Sequence, residues 1–230
     1  MASDLPNLGA TQLARRQLHV ILALDCSGSM TGDKIASLNY AMRSAIPEMR
    51  SAADDNPETD VFLRVLRFST RAEWHVYNPT PVGQFEWQDV SAGGETNMGE
   101  ALGMMADVLN PERMPGRQLP PVLVMVSDGQ PSDDFETGLA QLFESPYGGR
   151  ALRIAIAIGS DADNEVLERF IAHPDFKPLR ANNAQDLVNR IKWATTAPVK
   201  SVSSPSNAPD AVTQLALDAQ RQRRSSDLLW

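Results

Sequence analysis

Residues 18–30 read Leu18-His19-Val20-Ile21-Leu22-Ala23-Leu24-Asp25-Cys26-Ser27-Gly28-Ser29-Met30. The run Leu18–Leu24 is almost continuously apolar and of strand length, the pattern of a central strand covered on both faces. It stops at a carboxylate, and a short polar loop with two hydroxyls and a glycine follows. In an open parallel sheet, ligands bind beyond the carboxyl ends of strands, where the direction of winding reverses. The stretch therefore predicts a buried strand of an α/β sheet and, at its end, a loop placed where such sheets bind.

Working outward, helical spacing follows in Ile35, Leu38, Met42, Ala45, Ile46 and Met49, with Pro47 predicting a kink or an early stop. Val61–Phe68 reads as a second strand and Glu73–Tyr77 as a third, joined to it as a hairpin. A Pro- and Gly-rich loop spans Pro79–Gly94, and a helix is expected over Asn97–Leu109 with Met98, Met104 and Met105 as core filling. Val122–Val126 is another buried strand, Asp133–Glu144 a helix, and Leu152–Ile158 a strand. Glu165–Ile171 and Ala184–Thr195 give two more helices around a weak strand near Phe176–Leu179. Strands alternating with amphipathic helices predict a doubly wound α/β fold: a mostly parallel six-stranded sheet with one antiparallel edge strand and helices on both faces. The expected organisation is a lead-in over 1–17, a domain over 18–198, a Ser/Pro-rich linker over 199–210 and a short tail helix over 211–230.

Composition removes several function classes. The 230 residues carry 29 acids against 21 bases, a net charge of −8 that repels phosphate backbones and argues against nucleic-acid partners. The longest apolar runs fall far short of the ~20 residues of a membrane-spanning helix. Met1-Ala2-Ser3-Asp4-Leu5-Pro6 has neither the basic nor the apolar region of a secretory signal, so the expectation is a cytoplasmic protein without membrane partners. One cysteine and three scattered histidines exclude a Cys-based zinc site and every His-rich metal motif, which leaves a hard cation held by oxygen.

Two further segments are predicted to end at the same sheet edge. Gly93-Gly94-Glu95-Thr96-Asn97-Met98-Gly99 precedes the second long helix, and Val126-Ser127-Asp128-Gly129 closes the fourth strand. Asp25, Ser27, Ser29, Thr96 and Asp128 are thereby expected to converge from three loops, as oxygen donors suited to Mg²⁺ or Mn²⁺.

An Asp-x-Ser-x-Ser loop, a distant Thr after glycines and a strand-end Asp-Gly resemble the metal-ion-dependent adhesion site of von Willebrand factor A domains, which have a Rossmann-like sheet. The likeness covers about residues 18–197. Met30, Gly93-Gly94 and the Gly-x-Pro after Asp128 are most similar to bacterial TerY-type domains of the tellurium-resistance and stress group. The resemblance implies that Ser27, Ser29 and Thr96 contact the ion directly while Asp25 and Asp128 act through waters. It implies Mg²⁺ as the cofactor, with Mn²⁺ or Ca²⁺ as alternatives. The chain would then be a non-enzymatic interaction module whose ion grips an Asp or Glu of a partner protein. TerY likeness points to a protein kinase and a PP2C-type phosphatase in a stress or phospho-signalling complex. The Cys-rich zinc extension carried by many such chains is absent from this sequence, which has a single cysteine.

Blander readings stand beside these. Ser29 alone suits a helix cap, as does Asp128. Cys26 reads as a small buried residue, His19 as a packed one, and His75 and His173 as edge-strand and loop residues. A strand-end Asp with Mg²⁺ also describes haloacid-dehalogenase phosphatases, but these need a second Asp where this chain has Ser27. A metal-free scaffold is the third alternative. The apolar end Leu228-Leu229-Trp230 is a candidate docking segment, on a partner or on its own domain.

Overall fold

Both faces of β1 (Arg16–Asp25) are covered: Leu18, Val20, Ile21, Leu22, Ala23 and Leu24 have no exposed surface, which makes this strand the centre of the sheet. The computed structural model describes residues 15–159 and 162–201, with 218 and 221. β1 pairs in parallel with β2 (Thr59–Phe68) on one side and with β4 (Val122–Ser127) on the other. β5 (Leu152–Ile158) and β6 (Leu179–Ala181) extend the sheet in parallel beyond β4. β3 (Ala72–Pro81) is the antiparallel edge beside β2, so the six strands run in the order β3-β2-β1-β4-β5-β6.

Among the described residues five α-helices cover this sheet: α1 (Asp33–Asp54), α2 (Met98–Val108), α3 (Phe135–Glu144), α4 (Asn164–Ile171) and α5 (Ala184–Ser201). Crossovers between parallel strands are right-handed, and the winding runs one way from β1 to β2 and the other way from β3 through β4 to β6. Helices of the two directions therefore lie on opposite faces. α1 packs against α5, α2 against α3, and α4 against β5. The reversal falls between β1 and β4, and the crevice at their carboxyl ends is where Asp25 and Asp128 stand.

Several boundaries differ from the sequence expectation. α1 passes through Pro47 without stopping and ends at Asp54. Pro47 and Arg43, whose carbonyl loses its helical partner, are both on the exposed side. Meanwhile Ala45, Ile46, Met49 and Ala52 keep the opposite face buried. β3 runs on through Pro79 to Pro81, in the stretch expected as loop; an edge strand tolerates prolines because one side of its ladder is unpaired. The last strand is Leu179–Ala181 rather than Phe176–Leu179, because Pro178 lacks a donor and Phe176 is buried as a loop residue. α5 continues past Thr195 and through Pro198 to Ser201, holding Val199 in the core. The first three residues of the expected linker thus belong to α5; the lead-in (apart from its last residues), the linker beyond Ser201, most of the tail and the docking candidates Leu228, Leu229 and Trp230 lie outside the described residues. No helix among the described residues is long and apolar enough to cross a membrane.

Candidate metal centre

Asp25 closes β1 with no exposed surface, and both of its oxygens are engaged. Oδ1 accepts a hydrogen bond from the Ser27 backbone N–H at 2.8 Å, and Oδ2 accepts one from Ser127 Oγ at 2.6 Å. Ser27 Oγ lies 3.0 Å from Ser29 Oγ, and Ser29 Oγ donates to Asp128 Oδ1 at 2.7 Å. Four of the five residues expected from the sequence thus form one hydrogen-bonded chain from β1 to the end of β4.

Thr96 joins them through space. The point that a Cβ would occupy at Gly129 lies 3.7 Å from both Ser29 Oγ and Thr96 Oγ1, and 3.9 Å from Asp25 Oδ2. A glycine of the loop after β4 therefore faces oxygens from the other two loops. The Thr96 hydroxyl makes no hydrogen bond among the described residues, while its backbone N–H donates to Ser132 Oγ at 2.9 Å. Its carbonyl accepts from Ser132 N at 2.9 Å, which ties the Thr96 loop to the one following β4. Backbone bonds from Gly28 N to Gly94 O (2.9 Å) and from Gly93 N to Cys26 O (2.8 Å) tie it to the Ser27 loop. Gly94 adopts φ +85°, the left-handed region that makes glycine the natural choice in this turn.

The helix-cap alternatives are not what these residues do. Gly32 precedes α1, leaving Ser29 for Asp128, and α3 is capped by Asp134, which accepts from Thr137 N.

Electrostatics favour a cation here. Burial holds the Asp25 carboxyl above the usual carboxylate range, against the hydrogen bonds from Ser127 and Ser27, and the nearby Asp128 charge pushes it the same way. Asp128, with a fully buried side chain, forms an ion pair with Lys34 Nζ. Neither Lys34 nor Ser127 was singled out in the sequence. Ser127 is signalled only by being a polar residue ending an apolar strand, and Lys34 by its place in the first turn of a helix, where a cation opposes the helix dipole.

Among the described residues no group of three or more His, Cys, Asp or Glu side chains stands together. The cluster has instead two carboxylates and three hydroxyls, all hard oxygen donors, and these suit a hard divalent cation. A divalent ion would stabilise the charge that burial disfavours on Asp25 and would take up the unengaged Thr96 hydroxyl.

The remaining chemistry-bearing residues lie apart. Cys26 is buried, and its thiol is pushed up to about 12, chiefly by burial, which favours the protonated form. His19 is buried against Phe62 with Arg64 Nη1 at 3.2 Å from its Nδ1. His75 lies on β3 with its Nε2 at 3.0 Å from the Gln88 carbonyl, and His173 is in the loop after α4, edge-on to Phe176.

The sequence profile of the von Willebrand factor type A domain matches residues 19–190. The chain belongs to this family. Comparison with curated protein sequences finds no match. Among solved structures, the fold is similar to a von Willebrand factor type A protein from Catenulispora acidiphila, at TM-score 0.61 and 17% identity over 81% of this chain and 43% of that one. It is also similar to the open conformation of the pilus adhesin SpaC from Lactobacillus rhamnosus GG, at TM-score 0.65 and 12% identity over 84% of this chain and 31% of that one. A third is proximal thread matrix protein 1 of the mussel byssus, with a zinc-occupied metal-ion-dependent adhesion motif. It aligns at TM-score 0.57 and 12% identity over 80% of this chain and 46% of that one. This von Willebrand factor type A chain thus spans less than half the length of each of these structures.

Proposed function

We propose that this von Willebrand factor type A domain is a metal-dependent protein-interaction module. The observation that carries the reading is the meeting of Asp25, Ser29 and Thr96 oxygens at Gly129, with Ser27 and Asp128 hydrogen-bonded into the same cluster. Ser27, Ser29 and Thr96 would hold the ion through their hydroxyls, with Asp25 and Asp128 balancing its charge behind them. Bound there, a divalent cation such as Mg²⁺ supplies a Lewis-acidic position that prefers an anionic ligand to water. Neutral hydroxyls leave such an ion short of negative charge, so an Asp or Glu of a partner protein is the ligand this donor set suits. The zinc-occupied site of the mussel protein and the adhesive role named for SpaC support both halves of the reading.

The proposal contains no catalytic step. Ser27 stands where a phosphatase of the haloacid-dehalogenase type needs its general acid, and the buried Cys26 is held as a thiol. The likeness of Met30, Gly93-Gly94 and Gly129-Gln130-Pro131 to TerY-type domains supports a role in a bacterial stress or phospho-signalling complex, with a kinase and a PP2C-type phosphatase as proposed partner classes.

The test is affinity capture with wild type and Asp25→Ala side by side, each in Mg²⁺ and in EDTA. The reading predicts proteins retained by wild type in Mg²⁺ and lost in EDTA and with the variant. An identical set in all four arms overturns it.

A further inference from the structure

Lys34 is the second residue of α1, and a cation in the first turn of a helix faces the positive end of the dipole, an unfavourable placement unless a carboxylate offsets it. Asp128 is that carboxylate. Its side chain has no exposed surface, and it receives both the Lys34 ammonium on Oδ2 and the Ser29 hydroxyl on Oδ1. A buried carboxylate needs a cation or several donors to remain charged, and here a side chain of the same domain meets that need. The Lys34 ammonium therefore acts on the carboxylate that would balance the charge of a metal ion.

We infer that Lys34 is a tethered competitor of the metal: its ammonium and a divalent ion exclude one another at Asp128, so that loading the site displaces Lys34 into the adjoining cleft. The inference rests on the metal-binding reading above and concerns what sets the affinity of that site. Displacement needs no unpacking of the core, because the Lys34 side chain is 29% exposed and its stem is flexible. It already lines a cleft of about 610 Å³ between α1 and the β6–α5 edge, together with Asp33, Ser37, Tyr40, Asn182 and Asn183. Asp33, which lines the same cleft, gives the displaced ammonium another carboxylate at hand. With no ion present, the ammonium keeps two buried carboxylates from facing one another uncompensated. The device lowers metal affinity and holds the empty site in its folded geometry.

The experiment compares wild type, Lys34→Met and Lys34→Arg by calorimetric titration with Mg²⁺ and by thermal melting in chelator and in Mg²⁺. Removing the charge while keeping the stem should lower the Mg²⁺ dissociation constant about tenfold, while Lys34→Arg stays near wild type. In chelator the Lys34→Met midpoint should fall, and its rise on adding Mg²⁺ should exceed that of wild type. Unchanged or weaker Mg²⁺ binding in Lys34→Met, with wild type binding normally, overturns the competition and leaves the metal site standing. Absence of Mg²⁺ binding in all three proteins overturns both.

Discussion

Replacing Gly138 by alanine puts a methyl group where α2 and α3 touch backbone to backbone. The new Cβ would lie 2.7 Å from the Gly99 carbonyl carbon and 2.8 Å from Gly99 Cα, whereas ordinary contacts begin near 3.4 Å. The obstacle is main chain, so it cannot rotate away, and the helices must separate. Overpacking of this kind costs about 3 kcal/mol, the upper part of its usual range. The better helix propensity of alanine returns about 1 kcal/mol. The net loss is about 2 kcal/mol, which for a domain of this size lowers the melting midpoint by about 4–8 °C. Gly103→Ala on the same interface is the control. Its Cβ would meet only Gln141 Oε1, at 2.7 Å, the tip of a side chain that can turn aside, so the propensity gain decides and the midpoint should hold or rise. Scanning calorimetry of both variants checks this. Because Gly99 N–H is anchored by Asp133 Oδ1 at 2.8 Å and follows Thr96 by three residues, Gly138→Ala should also weaken Mg²⁺ binding. Equal midpoints for the two variants would refute the reasoning.

Two further outcomes follow from buried polar groups. Burial first, and then the Arg64 charge, hold His19 at about 4, well below its ordinary 6.5. The folded state refuses a proton that the unfolded chain accepts, so stability is full above pH 6.5 and falls as pH drops toward 4, by up to about 3 kcal/mol; in urea midpoints measured against pH, His19→Gln should flatten that slope. Asn39 donates from Nδ2 to the Val90 carbonyl at 2.8 Å and accepts from Val90 N at 2.9 Å and Trp87 Nε1 at 3.3 Å. Asn39→Ala leaves both Val90 main-chain groups orphaned, costing about 3 kcal/mol in denaturant unfolding, and hydrogen exchange at Val90 should accelerate with it.

Much of the fold was legible because β1, β4 and β5 are buried on both faces and so read as unbroken apolar runs. The Asp-x-Ser-x-Ser, Thr and Asp-Gly segments were legible as site candidates because each sits at a strand or helix end, where topology dictates position. What was not legible depends on neighbours distant in sequence. α1 continues through Pro47 because that turn faces water, and the prolines of the edge strand are tolerated because no described strand pairs beyond it. Neither fact is written in the local residues. Lys34 is separated from Asp128 by 94 residues, and Ser127 from Asp25 by 102, so their bonds appear only once β1 and β4 are paired. Gly129 looks like part of a turn, yet it faces the oxygens of Asp25, Ser29 and Thr96.

The central claim is that five oxygen-bearing side chains hold one divalent ion between β1 and β4. Isothermal titration of Mg²⁺ into chelator-stripped wild type and Thr96→Ala tests it most directly, since the Thr96 hydroxyl has no other hydrogen-bonding duty among the described residues. The account predicts saturable binding of about one ion per wild-type chain, with affinity lost or sharply reduced in a Thr96→Ala protein that melts like wild type in chelator. Absence of heat with Mg²⁺, Mn²⁺ and Ca²⁺ alike, or equal binding by the two proteins, would contradict it.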